Sequence, residues 1–139
     1  MEIKRNEATL NRPDGDRVLD APYVFMDLND FTKQLKDEEA WDKNDRNGIT
    51  IFKTDGLTTV LTCLHKDAGI KDNMVDGLFQ VQVLSGKIRV STDDGDMDMK
   101  ERDNSGPCHD PNQDQQMPSP ERVNQRHQSF LVQSIGCVR

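Results

Sequence analysis

Residues 78–90 read LFQVQVLSGKIRV. Apolar and polar side chains alternate from Phe79 to Val83, Ser85-Gly86 interrupts, and Ile88 and Val90 resume the alternation. Successive side chains of a strand point to opposite faces, so the stretch is a strand, a tight turn and a second strand. Phe79, Val81 and Val83 fall on one face, with Gln80 and Gln82 on the other. If the first face points inward, the interior there is wholly apolar. It is then either filled by its own side chains or an apolar pocket with a few polar groups at its mouth.

The same period extends outward on both sides. Ile49–Lys53, the hairpin signal Asp55-Gly56 and Leu57–Leu64 form a strand pair. A polar loop is expected over Lys66–Asp76. After Lys87–Ser91, Asp94-Gly95 signals another hairpin turn, and Asp96–Lys100 alternates again. Ahead of the strands, Leu28, Phe31 and Leu35 recur at spacings of three and four, which predicts one helix over about 28–40, capped by Asp27 or Asn29. Trp41 is expected to anchor its end to the body, and Asn47-Gly48 to break the chain. Earlier still, Tyr23–Met26 is apolar and short, which predicts a strand. Arg12-Pro-Asp-Gly15 predicts a turn, and Met1–Leu10 an irregular or strand-like arm.

Several short strands at close spacing predict an all-β sandwich or barrel. The order of elements sharpens this. The end of the 78–90 stretch, Val83-Leu84-Ser85-Gly86-Lys87, resembles the close of the first motif of the cupins, small antiparallel jelly-roll barrels of the RmlC-like type. The preceding hairpin, the intervening loop and the following Asp-Gly hairpin stand in the cupin order. The resemblance covers residues 1–102 and implies an all-β, cupin-like jelly roll with one N-terminal helix.

That motif normally carries a metal site, with two histidines and a glutamate ahead of the glycine. Anchoring on Gly86 puts Phe79 at the glutamate position. The histidine positions fall on Asp72 and Met74, or on Asn73 and Val75. Neither pair contains a histidine, and a first-row metal needs three or four convergent imidazole, carboxylate or thiolate groups. His65 lies upstream, at the end of the Leu57–Leu64 run, and reads as a locally bonded strand-end histidine. The candidate interior or pocket-lining set is therefore Phe79, Val81, Val83, His65 and Asn73. No catalytic residue, no metal ligand and no cofactor is assigned.

The second cupin motif is absent. Lys100-Glu101 is followed by Arg102-Asp103, with arginine where the family has glycine. Gly106, Pro107, His109 and Asn112 occur at other spacings, and His127 lacks the required asparagine after it. Composition changes at the same place. Residues 1–102 hold nine lysines and three glutamines, while 103–139 hold no lysine, six glutamines and four of the six prolines. Between Asn112 and Gln128 only Met117 and Val123 are apolar, too little to offset the entropy of ordering. The expectation is a cupin-like domain over 1–102 and a largely disordered tail over 103–139. Ser129–Ile135 alternates and is its candidate final strand. The barrel then falls short of the usual eight strands, and its open edges favour a homodimer.

Whole-chain composition bounds the function. The chain has 139 residues, 33% hydrophobic, with a formal net charge of −7. An acidic chain of pI about 4.9 is not built for a phosphate backbone, so no nucleic acid is expected. No apolar run approaches the roughly 20 residues of a membrane helix, and the charged start MEIKRNEATL is no signal peptide. Cys63, Cys108 and Cys137 form no disulfide framework. A cytoplasmic location is expected. Asp93, Asp94, Asp96 and Asp98 lie across a hairpin and lack the calcium-loop pattern. The functional expectation is a metal-free, cupin-like module that binds a small molecule or a partner without catalysis. Its alternatives are a metal-dependent isomerase or dioxygenase with an unusual ligand set, and a frame-disrupted, inactive cupin.

Overall fold

The computed structural model describes residues 2–73, 78–92, 95–103, 121–125 and 129–136, with the backbone alone for 71–73, 78, 92, 121–125 and 129–136. In chain order the elements are β1 (Lys4–Asn6), β2 (Arg17–Asp20), α1 (Leu28–Asp37), α2 (Glu39–Lys43), β3 (Arg46–Lys53), β4 (Leu57–Leu64), β5 (Gly69–Asn73), β6 (Leu78–Ser85), β7 (Lys87–Thr92), β8 (Gly95–Lys100), β9 (Glu121–Gln125) and β10 (Ser129–Gly136). Strands β1 and β2 form a hairpin of their own. One four-stranded sheet has the order β3-β4-β10-β6, and the other β5-β9-β7-β8. Every pairing is antiparallel.

The alternation of β6 places its apolar stripe between the sheets. Phe79, Val81 and Val83 form one buried cluster with Leu64 of β4, Ile88 and Val90 of β7 and Met99 of β8. The opposite face of the first sheet is also apolar. Ile49 and Ile51 of β3 and Leu61 and Cys63 of β4 pack with Leu35 and Trp41 of the helices. The body therefore has three layers: helices, first sheet, second sheet. Leu61, Thr62, Cys63 and Leu64 are all buried because β4 is covered on both sides.

Local chemistry explains most boundaries. Asp27 caps α1, its carboxylate accepting from the backbone N–H of Asn29 and Asp30 at 2.9 and 3.1 Å. Glu38 takes an extended conformation, so the single helix expected over 28–40 divides into α1 and α2. Trp41 is buried, as its place after the apolar stripe predicts. Asp55-Gly56 closes the β3–β4 hairpin, with Lys53 opposite Thr58. Gly86 supplies a φ of 87° at the turn between β6 and β7, a conformation that costs other residues.

Five expectations change. Tyr23–Met26 is not a strand, and Tyr23 and Phe25 are 85% and 97% exposed. Pro22 has no N–H to continue β2, so the run spans the gap to the cap of α1. Asn47-Gly48 does not break the chain but lies inside β3, where Asn47 is buried. The polar loop after β4 contains β5. Within the segment read as disordered, residues 121–125 form β9, whose register puts Val123 opposite Ile70 and Val90. The candidate final strand is present as β10, between β4 and β6, and with β5 and β9 it completes eight strands in the two sheets, not the short set expected. Its register sets Leu131, Gln133 and Ile135 opposite Val83, Val81 and Phe79. The remainder of 103–139 beyond Asp103 lies outside the described residues.

The turn after β8 accounts for the departure at Arg102. Arg102 N–H donates to Val83 O at 2.8 Å, and Val83 N–H donates to Asp103 O at 3.0 Å. These bonds cover the side of β6 that faces away from β10. They hold Arg102 at a φ of 70°, the left-handed region that glycine adopts without penalty.

Two stability outcomes follow from this packing. Leu61→Ala, at a fully buried position, should cost about 2–5 kcal/mol in urea unfolding, whereas Phe25→Ala should stay within about 0.5 kcal/mol. Arg102→Gly should stabilise the fold or leave it unchanged, while Arg102→Val should destabilise it by about 1 kcal/mol or more, since a β-branched residue tolerates that φ least.

Candidate functional site

Three of the five candidate residues come together. Phe79, Val81 and Val83 are at most 5% exposed and lie in the cluster between the sheets. His65 does not join them. Its ring stacks on Trp41, with centroids 3.5 Å apart and planes 16° from parallel. Trp41 belongs to the cluster under the helices, on the other face of the sheet. His65 Nε2 lies 2.8 Å from Trp41 O. A carbonyl only accepts, so Nε2 carries the proton and the ring's lone pair is on Nδ1. Asn73 ends β5, opposite Glu121 of β9. Among the described residues, no three His, Cys, Asp or Glu side chains gather as a metal site would require. His109 and His127 lie outside the described residues.

The cluster's chemistry is that of packing. Leu64, Phe79, Val81, Val83, Ile88, Val90 and Met99 supply no titratable group. Cys63, on the opposite face, is fully buried. Burial pushes its thiol up to about 12, and the charge of Lys36 offsets only part of this. A thiol so shifted is not a nucleophile near neutral pH. The acidic hairpin residue Asp98 is engaged across the sheet: Arg89 Nε and Nη2 donate to its two carboxylate oxygens at 2.7 and 3.0 Å.

The concentrated polar chemistry lies elsewhere, where the N-terminal arm, here residues 2–20 with β1, β2 and the turn between them, meets the helices. Arg12 Nε and Nη2 donate to Glu38 Oε1 and Oε2 at 2.8 and 2.9 Å. Asn47 Nδ2 donates to Glu38 Oε2 and to Leu35 O, each at 2.8 Å. Gln34 Nε2 adds a bond to Glu38 Oε1 at 3.1 Å. Glu38 thus ties the arm, α1 and β3 together at the interruption between the helices. Its side chain is only 11% exposed. Burial raises its pKa, but the hydrogen bonds from Arg12, Asn47 and Gln34 and the charge of Arg12 outweigh this and hold the carboxyl below its ordinary value. A cleft of about 820 Å³ opens above this network, between the arm at Asn11 and Asp14 and the helices at Lys33, Asp37 and Lys43.

Sequence reasoning missed this network. Arg12 read as a turn residue, and it is one: Gly15 N–H donates to Arg12 O at 3.1 Å. A Cβ on Gly15 would stand 2.9 Å from that oxygen, so only glycine closes the turn. Glu38 falls inside the helix expected over 28–40, a pattern that hides a carboxylate buried by a break in that helix.

Folding lowers the pKa of Glu38, so its contribution is present above the ordinary value of 4.5 and is lost as pH falls through the lower, folded value. Wild type should therefore lose more stability than Glu38→Gln when acidified from neutral pH, measured by denaturant unfolding at both. Native protein treated with iodoacetamide near neutral pH should leave Cys63 unmodified by peptide mass, with modification only after unfolding.

No family model and no curated protein matches this sequence. Solved structures do match in fold. A cupin superfamily protein from Desulfitobacterium hafniense is 12% identical with a TM-score of 0.61, over 86% of this chain and 95% of that one. The cupin domain of an XRE family transcriptional regulator from Enterobacter cloacae is 12% identical with a TM-score of 0.56, over 69% of this chain and 100% of that one. An HTH_3 family transcriptional regulator from Vibrio cholerae is 13% identical with a TM-score of 0.58, over 80% of this chain and 61% of that one. Among the described residues no helix is long and apolar enough to cross a membrane. The two face-to-face antiparallel sheets and these likenesses agree: the chain has the cupin fold.

Proposed function

We propose that this chain is a cupin-fold binding module that recognises a small molecule or a protein partner and carries no metal-dependent chemistry of its own. One observation carries the reading. The strand that bears the first motif presents Phe79, Val81 and Val83 to the space between the sheets, and all three are buried among other apolar side chains. A metal-dependent cupin needs imidazole and carboxylate groups converging on such a space. Phe79 stands at the position that the resemblance assigns to the glutamate ligand. His65, the nearest histidine, stacks on Trp41, which packs on the other face of the sheet.

Two of the similar structures belong to transcriptional regulators, which supports recognition rather than catalysis. Where Phe79, Val81 and Val83 pack against Val90 and Met99 there is no open space for a ligand, so this reading places recognition on open surfaces. The cleft beside Glu38 is one, with both acidic and basic groups on its walls.

Elemental analysis of protein expressed in metal-supplemented medium tests the reading. The expected result is iron, manganese, nickel and zinc each well below one ion per chain. Near-stoichiometric metal that is lost in a His65→Ala, His109→Ala or His127→Ala variant would overturn it in favour of an unusual ligand set.

A further inference from the structure

Strand β3 stands at the end of its sheet, so part of its backbone points away from β4. In most sheets such an edge is a template for another strand. Here two arginines occupy it. Arg12 Nη2 donates to Gly48 O at 3.0 Å, and Arg17 Nε donates to Thr50 O at 2.6 Å. Both come from the N-terminal arm, and both take carbonyls that the N–H groups of a neighbouring strand would otherwise reach. Arg17 Nη1 also donates to Gly15 O at 2.8 Å, which fixes the guanidinium to the arm's own turn.

The arm's hold on the body is uneven. Lys4 and Asp55 form an exposed ion pair, of the kind that contributes little. Arg5 and Asp16 pair within the arm itself. The Arg12–Glu38 fork is different: its side chains are 23% and 11% exposed, and both carboxylate oxygens are used. Removing one partner of a shielded charge pair leaves the other charge uncompensated. Beside the buried Leu19 of β2, the charged part of the arm's docking therefore depends chiefly on one carboxylate.

We propose that the N-terminal arm is a latched cover over the open edge of β3, and that unlatching at Glu38 presents this edge to the same edge of a second copy of the chain. The second copy is the fitting partner because an exposed antiparallel edge is self-complementary about a two-fold axis: each copy offers the donors and acceptors that the other needs. Ahead of its irregularity between Thr50 and Phe52, β3 keeps a regular run from Arg46 to Thr50 for such a pairing. The groups that face Glu38 are Arg12 and the charge of Arg17 from the arm, Gln34 from α1 and Asn47 from β3. Asp14, Asp30, Lys33, Asp37, Glu39 and Lys43 line the cleft around it. Neutralising the carboxyl, by acid or by Glu38→Gln, removes the charge that holds Arg12.

Two readouts on the full chain test this. Tryptic cleavage after Arg17 reports arm release, since a guanidinium bonded to Thr50 O cannot enter a protease pocket. Light scattering behind size exclusion reports mass. Glu38→Gln and Arg12→Ala should each be cleaved after Arg17 several-fold faster than wild type, and should gain mass relative to it by doubling. Thr50→Pro in the Glu38→Gln background should return the wild-type mass, because proline removes an outward N–H from the edge. Unchanged cleavage after Arg17 would overturn the latch. Faster cleavage with unchanged mass, or a doubling that survives Thr50→Pro, would overturn the edge pairing. If Glu38→Gln loses its cooperative melt, Gln34→Ala removes one bond to the carboxylate and gives the same comparison at smaller amplitude.

Discussion

Strand β4 is apolar on both faces: it turns Leu61 and Cys63 toward the helices and Leu64 toward the second sheet. Everything else is arranged around that double burial. The helices and the arm cover one face, and β7 and β8 cover the other. Neither face can be left to water: each buried Leu, Ile or Val gains about 1.5–3 kcal/mol from burial.

Among the described residues, the cluster of Phe79, Val81, Val83, Val90 and Met99 is built of apolar side chains. The polar chemistry is displaced to the junction of arm, helices and β3, where Glu38, Arg12 and Asn47 satisfy one another. Buried polar groups of this kind are stable only when every member is paired. The network therefore serves as a joint, and it links the state of one carboxylate to the position of the arm. The same arm supplies the two guanidinium groups on the edge of β3. Joint and edge cover are one device.

The sheets were largely legible in the sequence because their signal is local. Alternation in Leu78–Val90 and the turns at Asp55-Gly56 and Ser85-Gly86 each specify a strand end without reference to the rest of the chain. Asn47-Gly48 misled because the same dipeptide that favours a turn also suits an edge strand. There Asn47 is buried to bond Leu35 and Glu38, and Gly48 offers its carbonyl to Arg12. Strand β9 was hidden because ERVNQ has one apolar residue, and its place depends on partners from β5 and β7. Glu38 was hidden for the same reason: its burial comes from Arg12, 26 residues away. Long-range pairing is what a local pattern cannot show.

The fold rests on direct packing of the β6 stripe against the second sheet, with Val81 and Val83 held against Val90 and Met99 and shielded from water. Methyl NOE spectroscopy on isotopically labelled protein tests it directly. The account predicts strong cross-peaks from the Val81 or Val83 methyls to those of Val90 or Met99, with no cross-peak to water. Water cross-peaks at Val81 and Val83, with contacts to the second sheet missing, would contradict it and reopen the interior as a binding site.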